Sequence, residues 1–229
     1  MRTTPADAYN YDIFEPAPYV RSDCTGPTPG TSLARIEVER LDGTVTTLDA
    51  LADGVMVLET GSTTCPLYRR NIPKMRAVAE RRPEVTFVLL YTREAHPGER
   101  RGAHVDMPDK RLAAASLPDA AGEWREILID DLDGTLHRRL EGAPDSATIL
   151  DASGTVLAYI HDADPAAVAE LLDQIRAGER DIGARVRFRP PTPRVAFAAL
   201  LTGGWQAVRD FARGLPALAA WRLRGGSTC

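Results

Sequence analysis

Lysine is almost missing from this chain: Lys74 and Lys110 are the only two in 229 residues. The remaining positive charge is arginine, and 28 basic against 32 acidic residues leave a net charge of −4. That balance gives no reason to expect a nucleic-acid partner, which usually calls for a basic face. Cysteine is nearly as scarce, with only Cys24, Cys65 and Cys229. An odd number at wide spacing argues against a disulfide framework and against a zinc site built on paired cysteines. No apolar run approaches the ~18 residues of a membrane span. The opening stretch MRTTPADAYNYDIF lacks an apolar core of signal-peptide length. A cytoplasmic location is expected on these grounds, and in a reducing compartment a lone cysteine is either packing or chemistry.

What is present suits a globular protein: 44% hydrophobic and 26% charged residues, with a length fit for one domain plus extensions. Residues 1–32, rich in Pro, Thr, Asp and Gly, read as an irregular lead-in. ARIEVER and TVTTLDAL flank LDG as a β-hairpin. GVMVLET, VTFVLLY and EILIDD read as buried strands, with helical spacing after the first and a short helix, DKRLAAASL, opened by Asp109. SATILDASGTVLAYI is a second hairpin. Asp164 caps PAAVAELLDQIRAG, with Pro165 at the first helical position. Strands alternating with helices predict a mixed, parallel-cored α/β sheet over residues 33–180, with an antiparallel hairpin at its edge. Residues 181–229 form a proline-rich linker and a short helical extension broken by Gly203, Gly204, Gly214 and Pro216. Its structural reading is two short helices packed back on the domain or on a second subunit. Trp205, Trp221 and interspersed Arg leave a membrane-surface or partner-binding role open.

The stretch VLETGSTTCPLYRRNIP carries the chemistry. With a strand before it and Pro66 starting a helix, Cys65 stands at the helix N-cap. The unpaired N–H groups of the first turn point toward the cap and favour a thiolate there. Such placement lowers a cysteine pKa from ~8.5 to roughly 3.5–7.5. The expected site is therefore an exposed, activated thiolate at a strand C-terminus, where ligands bind in open α/β sheets. Ser62, Thr63 and Thr64 add hydroxyls able to hold a substrate atom beside the sulfur. The competing reading makes Cys65 an inert buried thiol. Pro73, eight residues after Cys65, falls inside the helix.

These residues resemble the thioredoxin fold and, more narrowly, the iodothyronine deiodinase family and its bacterial relatives. That family carries Gly-Ser-x-Thr-selenocysteine-Pro, matched here by Gly61, Ser62, Thr64, Cys65 and Pro66. After the next strand it carries a Tyr-(two residues)-Glu-Ala-His-Pro motif, matched by Tyr91, Glu94, Ala95, His96 and Pro97. Pro73 corresponds to the family's helix proline and His104 to a second histidine. The resemblance spans residues 36–178 and implies a redox site with Cys65 attacking and Glu94, His96 and His104 as proton donors or substrate holders. Histidine suits that task near neutral pH. A thioredoxin-like fold also implies a cis-proline beside the cysteine, at Pro144. His137 and His161 match nothing and are read as surface residues.

The chain departs from the family in holding sulfur where selenium stands, and in lacking the family's membrane-anchoring helix. Tyr68 occupies the position three after Cys65, so dithiol exchange cannot run within this motif. A resolving thiol would be Cys24, Cys229 or an external one. The expected function is a single-cysteine thiol oxidoreductase acting on a halogenated, peroxide or disulfide substrate. It needs no bound cofactor and is restored by an external small thiol or a redox protein. A peroxiredoxin-like peroxide reductase is the first alternative, though Leu58 stands where those enzymes want proline. A non-enzymatic binding domain, with the C-terminal extension as a partner or homodimer contact, is the second. Metal binding by Cys65, His96 and His104 has no diagnostic spacing.

Overall fold

The two segments around LDG pair as an antiparallel hairpin, β1 (Glu37–Arg40) with β2 (Val45–Thr47), Glu37 opposite Thr47. The strand β3 (Met56–Gly61) follows and is buried along its whole length. Helix α1 (Pro66–Ala79) begins at once, with Cys65 as N-cap, Pro66 in the first turn and Pro73 accommodated inside. Next come β4 (Thr86–Tyr91), α2 (Met107–Ala115), α3 (Leu117–Ala121), β5 (Glu126–Ile129) and a short α4 (Thr135–Arg139). The hairpin β6 (Ala147–Leu150) and β7 (Val156–Ile160) leads to α5 (Pro165–Ala177), and α6 (Pro193–Gly203) and α7 (Trp205–Leu223) end the chain. The computed structural model describes residues 9–14, 16, 26–51, 53–179, 182–184 and 189–223. Cys24 and Cys229 lie outside them.

The sheet has seven strands in the order β2-β1-β5-β4-β3-β6-β7. β3, β4 and β5 run parallel, while β6 and β1 pair antiparallel on either side. The β3–α1–β4 unit, the β6–β7 hairpin and the closing α5 make the thioredoxin-like arrangement that the sequence predicts. Strand alternation sorts the core into two faces. Val57, Phe87, Leu89, Tyr91, Ile127 and Ile149 meet α1, α2, α3 and α5 on one face. Met56, Leu58, Val88, Leu90, Leu128 and Leu150 meet Leu33, Leu48 and α4 on the other. At ~25 cal/mol per Å² of apolar surface, this two-sided burial is the main term holding the central strands in place.

Three local expectations need correction. Helix α2 is capped by Asp106, whose carboxylate accepts from the N–H of Asp109 at 2.8 Å; Asp109 is inside the first turn. Gly203 and Gly204 do break the tail, but α7 runs on through Gly214 and Pro216. Residues 9–14 are no idle lead-in. The Asn10 side chain bonds both the N–H and the C=O of His104, at 3.1 and 2.6 Å. Tyr11 Oη donates to the Ala95 carbonyl, and the Arg93 guanidinium lies over the rings of Tyr9 and Tyr11. Among the described residues no helix is long and apolar enough to cross a membrane.

Candidate thiol site

The GSTTC turn and the TREAHP loop are bolted together at the C-terminal ends of β3 and β4. Glu94 is the bolt. Its carboxylate accepts from Thr63 Oγ1 at 2.6 Å, from the Thr64 N–H at 2.9 Å, from Thr64 Oγ1 at 2.7 Å and from Tyr91 Oη. Ser62 Oγ accepts from the Ala95 N–H at 3.1 Å, and Thr64 Oγ1 from the His96 N–H at 3.0 Å. The hydroxyls of Ser62, Thr63 and Thr64 therefore find their partners within the protein. Glu94 holds the turn that aims Cys65, with every one of these acceptor positions filled.

Cys65 itself is 1% exposed and belongs to an apolar cluster with Tyr68, Ile72, Tyr91 and Ala95. Burial pushes its thiol well up, and the charge of Asp145 adds to that. The amides of Tyr68 and Leu67 face the sulfur and pull the other way, but without a cap hydrogen bond. The expected exposed, low-pKa thiolate is thus reversed. A helix start offers a partial charge, whereas removal from water disfavours the whole charge of the anion.

His96 and His104 are both buried. The His96 ring packs 4.3 Å from the ring of Phe14 and 5.3 Å from that of Phe211, centroid to centroid, and burial holds it down to about 3. Its Nδ1 has no partner among the described residues, and no hydrogen bond joins its ring to Cys65. His104 Nδ1 lies 3.5 Å from Asp109, and its Nε2 is unpartnered in the same sense. Burial lowers the His104 pKa, with the charge of Glu94 opposing. Pro144 is not the expected cis-proline: no cis peptide bond occurs among the described residues. His137, read as a surface residue, is fully buried, bonded through Nδ1 to Tyr9 Oη and through Nε2 to the Ala143 carbonyl, each at 2.7 Å.

The elements around the sulfur include the chain's tail. Arg69 bonds the Ala198 carbonyl and Thr202 on α6. A Cβ at Gly203 would come within 2.7 Å of the His96 carbonyl, so only glycine lets α6 approach so closely. Glu99 caps α7 from outside, accepting from the N–H groups of Trp205 and Gln206 at 2.7 and 2.8 Å. Phe14 from the lead-in and Phe211 from α7 then close over His96.

The residues that the sequence reading passed over are acids. Glu59, six residues before Cys65, points from β3 toward α1 and is wholly buried. Arg125 forms an ion pair with it and a bidentate pair with Glu123, whose carboxylate also accepts from Tyr68 Oη. On the other side stands Asp145, also buried, held by Asn71 Nδ2 at 3.0 Å. Beyond it Arg70 reaches Asp162 at 2.6 Å. Among the described residues, Glu59 Oε1 and Asp145 Oδ1 both lack a donor. Burial raises the pKa of both groups, Asp145 further, with the charges of Glu59 and Asp162 adding to its shift. A proton on Asp145, donated to Glu59, satisfies both carboxyls at once. One signal was legible: a carboxylate inside an otherwise apolar strand is rarely buried without a reason.

No known protein family matches the chain, and no curated protein matches it. Solved structures do. A hypothetical protein from Sinorhizobium meliloti is 14% identical over 72% of this chain and 92% of that one, with a TM-score of 0.51. A secreted Mycobacterium tuberculosis disulfide oxidoreductase homologous to E. coli DsbE is 19% identical over 62% and 96%, with a TM-score of 0.45. A thioredoxin-like protein from Aeropyrum pernix is 18% identical over 62% and 88%, with a TM-score of 0.47. At such identities the likeness is one of fold alone.

Proposed function

We propose that this chain is a monothiol oxidoreductase in which Cys65 exchanges with a disulfide, and that the sulfur is reached by a local opening of the elements over it. One observation carries the reading: Asp145, buried within charge reach of a lone cysteine at a helix start, faces Glu59, and each carboxyl keeps an oxygen with no donor among the described residues. Arg125 pairs with Glu59, yet one oxygen of each acid has no donor among the described residues, a cost for which packing alone gives no reason. As a proton store beside a thiol the pair has a use.

The steps follow from that geometry. The Cys65 thiol passes its proton to Asp145, whose own proton moves on to the Glu59 carboxylate, as the sulfur attacks a substrate R–S–S–R′. The substrate S–S bond breaks, Cys65–S–S–R forms, and R′S⁻ takes a proton from the Asp145 side of the pair. Tyr68 offers no second thiol, so an external thiol R″SH attacks the mixed disulfide. It forms R–S–S–R″ and returns Cys65 to the thiol. The electrons come from that external thiol, which fits a reducing compartment such as the cytoplasm. Disulfide is the favoured substrate among those the family resemblance suggests, because sulfur is a weaker nucleophile than selenium and S–S exchange supplies a good leaving group. Intact-mass measurement tests this on a C24S/C229S variant treated with hydroxyethyl disulfide. The reading expects a single adduct that a thiol removes and that is lost on Cys65→Ser. No adduct in the folded protein would contradict it.

The sealing of Cys65 favours a second reading: a non-enzymatic thioredoxin-like domain that keeps the cysteine as a core residue. It predicts that Cys65→Ala changes stability and nothing else.

A further inference from the structure

A cavity of about 190 Å³ lies between α1, the start of α5 and the prolines leading into α6. Lys74 and Arg189 supply two cations to its wall against the carboxylate of Asp164, with Arg70, already paired with Asp162, beside them. Asp164 is already engaged as the cap of α5, accepting from the Ala166 N–H at 3.1 Å. Lys74 and Arg189 are exposed and have no ion-pair partner among the described residues. The inner wall is continuous with the thiol site. Asn71 lines the cavity and donates to Asp145, and Arg70 lines it and acts on Cys65 by its charge. Along α1, at 1.5 Å per residue, Arg70 and Lys74 stand roughly 8 and 13 Å from the cysteine.

Resting on the monothiol reading above, we infer that this cavity binds the carboxylate end of the external thiol that resolves Cys65, so that the reductant is an anionic, peptide-sized thiol. A positive recess walled by proline holds an anion with little ordering cost to its frame. At ~3.3–3.6 Å per extended residue, a carboxylate two to four residues from a thiol reaches about as far as Arg70 and Lys74 stand from the cysteine. The chemistry is that already written: R″SH attacks Cys65–S–S–R and its proton returns to Cys65, and the cavity raises the local concentration of R″SH without taking part in bond changes.

The test uses the full chain carrying C24S and C229S, with Cys65 loaded by hydroxyethyl disulfide. Its release is timed with glutathione and with glutathione diethyl ester, which has the same thiol but masked carboxylates. The free acid should act about tenfold faster, the size expected of two exposed charge contacts, and K74E/R189E should bring the ratio toward one. Rising salt should shrink the ratio in the same direction. Equal rates for acid and ester would overturn the inference and leave the monothiol reading standing. A Cys65 that takes no adduct at all would remove both.

Discussion

Two acidic groups flank the turn that carries Cys65, and they are built in opposite ways. Glu94 accepts four hydrogen bonds from Thr63, Thr64 and Tyr91 and leaves nothing unfilled. Glu59 and Asp145 face each other with an unfilled oxygen apiece. A saturated buried carboxylate is a fastener, since every lone pair it commits fixes a donor on another segment. An unsaturated pair has a place for a proton between its oxygens, and a proton held there can be exchanged. The sequence motif draws the eye to the fastener. The exchangeable proton sits on residues outside the motif.

The largest expected effect breaks the fastener. Glu94→Ala strands four donors in a buried turn and should cost about 3–5 kcal/mol in chemical denaturation, while Glu94→Gln, which keeps an acceptor, should cost clearly less. A loss below about 1 kcal/mol for the alanine variant would mean that the turn is held elsewhere. Asp145→Asn probes the other group. Asparagine can still donate to Glu59 and accept from Asn71, so the fold should survive. The folded-state pKa of Asp145 is raised by burial, so its contribution to stability is full below the unfolded value and is lost as pH rises through the folded one. The variant should therefore gain on the wild type as pH rises above the ordinary carboxylate range, while disulfide exchange at Cys65 slows by about 10²-fold. Unchanged exchange would separate the pair from the chemistry.

Two buried histidines, His96 and His137, sharpen the same contrast. Burial holds both His96 and His137 at about 3, so each supports the fold above the ordinary histidine value and withdraws that support as pH falls toward 3. His137 has both ring nitrogens bonded, and His137→Phe should cost about 1–3 kcal/mol by leaving Tyr9 Oη and the Ala143 carbonyl unpaired. His96→Leu removes a buried nitrogen with no partner and should be neutral, or stabilising by up to ~1 kcal/mol. Thermal melts from pH 7 to 4 would show both variants less sensitive to acid than the wild type. A larger loss at His96 than at His137 would contradict the comparison. The smallest effect belongs to Glu99→Gln, which weakens the cap on α7. It should show as faster hydrogen exchange at Trp205 and Gln206, with the global transition unmoved.

Much of the frame was legible in the sequence. β3, β4 and β5 announce themselves as continuous apolar runs, and Cys65-Pro66 marks the start of α1 by local rules alone. Asp164, Pro165 and Gly178 bracket α5 in the same way, with Gly178 in the left-handed conformation. What failed depended on distant partners. Local geometry puts an N-cap cysteine in reach of amides, but its exposure is decided by the surrounding packing of Tyr68, Ile72 and Tyr91. His137 looks like a surface residue until Tyr9, 128 positions earlier, is seen bonded to it. Ser62, Thr63 and Thr64 look free until Glu94 and the backbone of the loop behind it engage them. Glu59 was hidden inside a strand read only as apolar, and Asp145 behind a proline weighed for its peptide bond.

The central claim is that a sealed sulfur is reached by local opening. The most direct test is the rate of hydroxyethyl disulfide exchange at Cys65 in the C24S/C229S protein, across urea concentrations well below the unfolding transition. Local opening exposes little surface, so the rate should stay nearly flat. A rate that climbs with the full urea dependence of global unfolding would show that Cys65 reacts only when the domain comes apart, and the protein would then be a thioredoxin-like scaffold with a core cysteine.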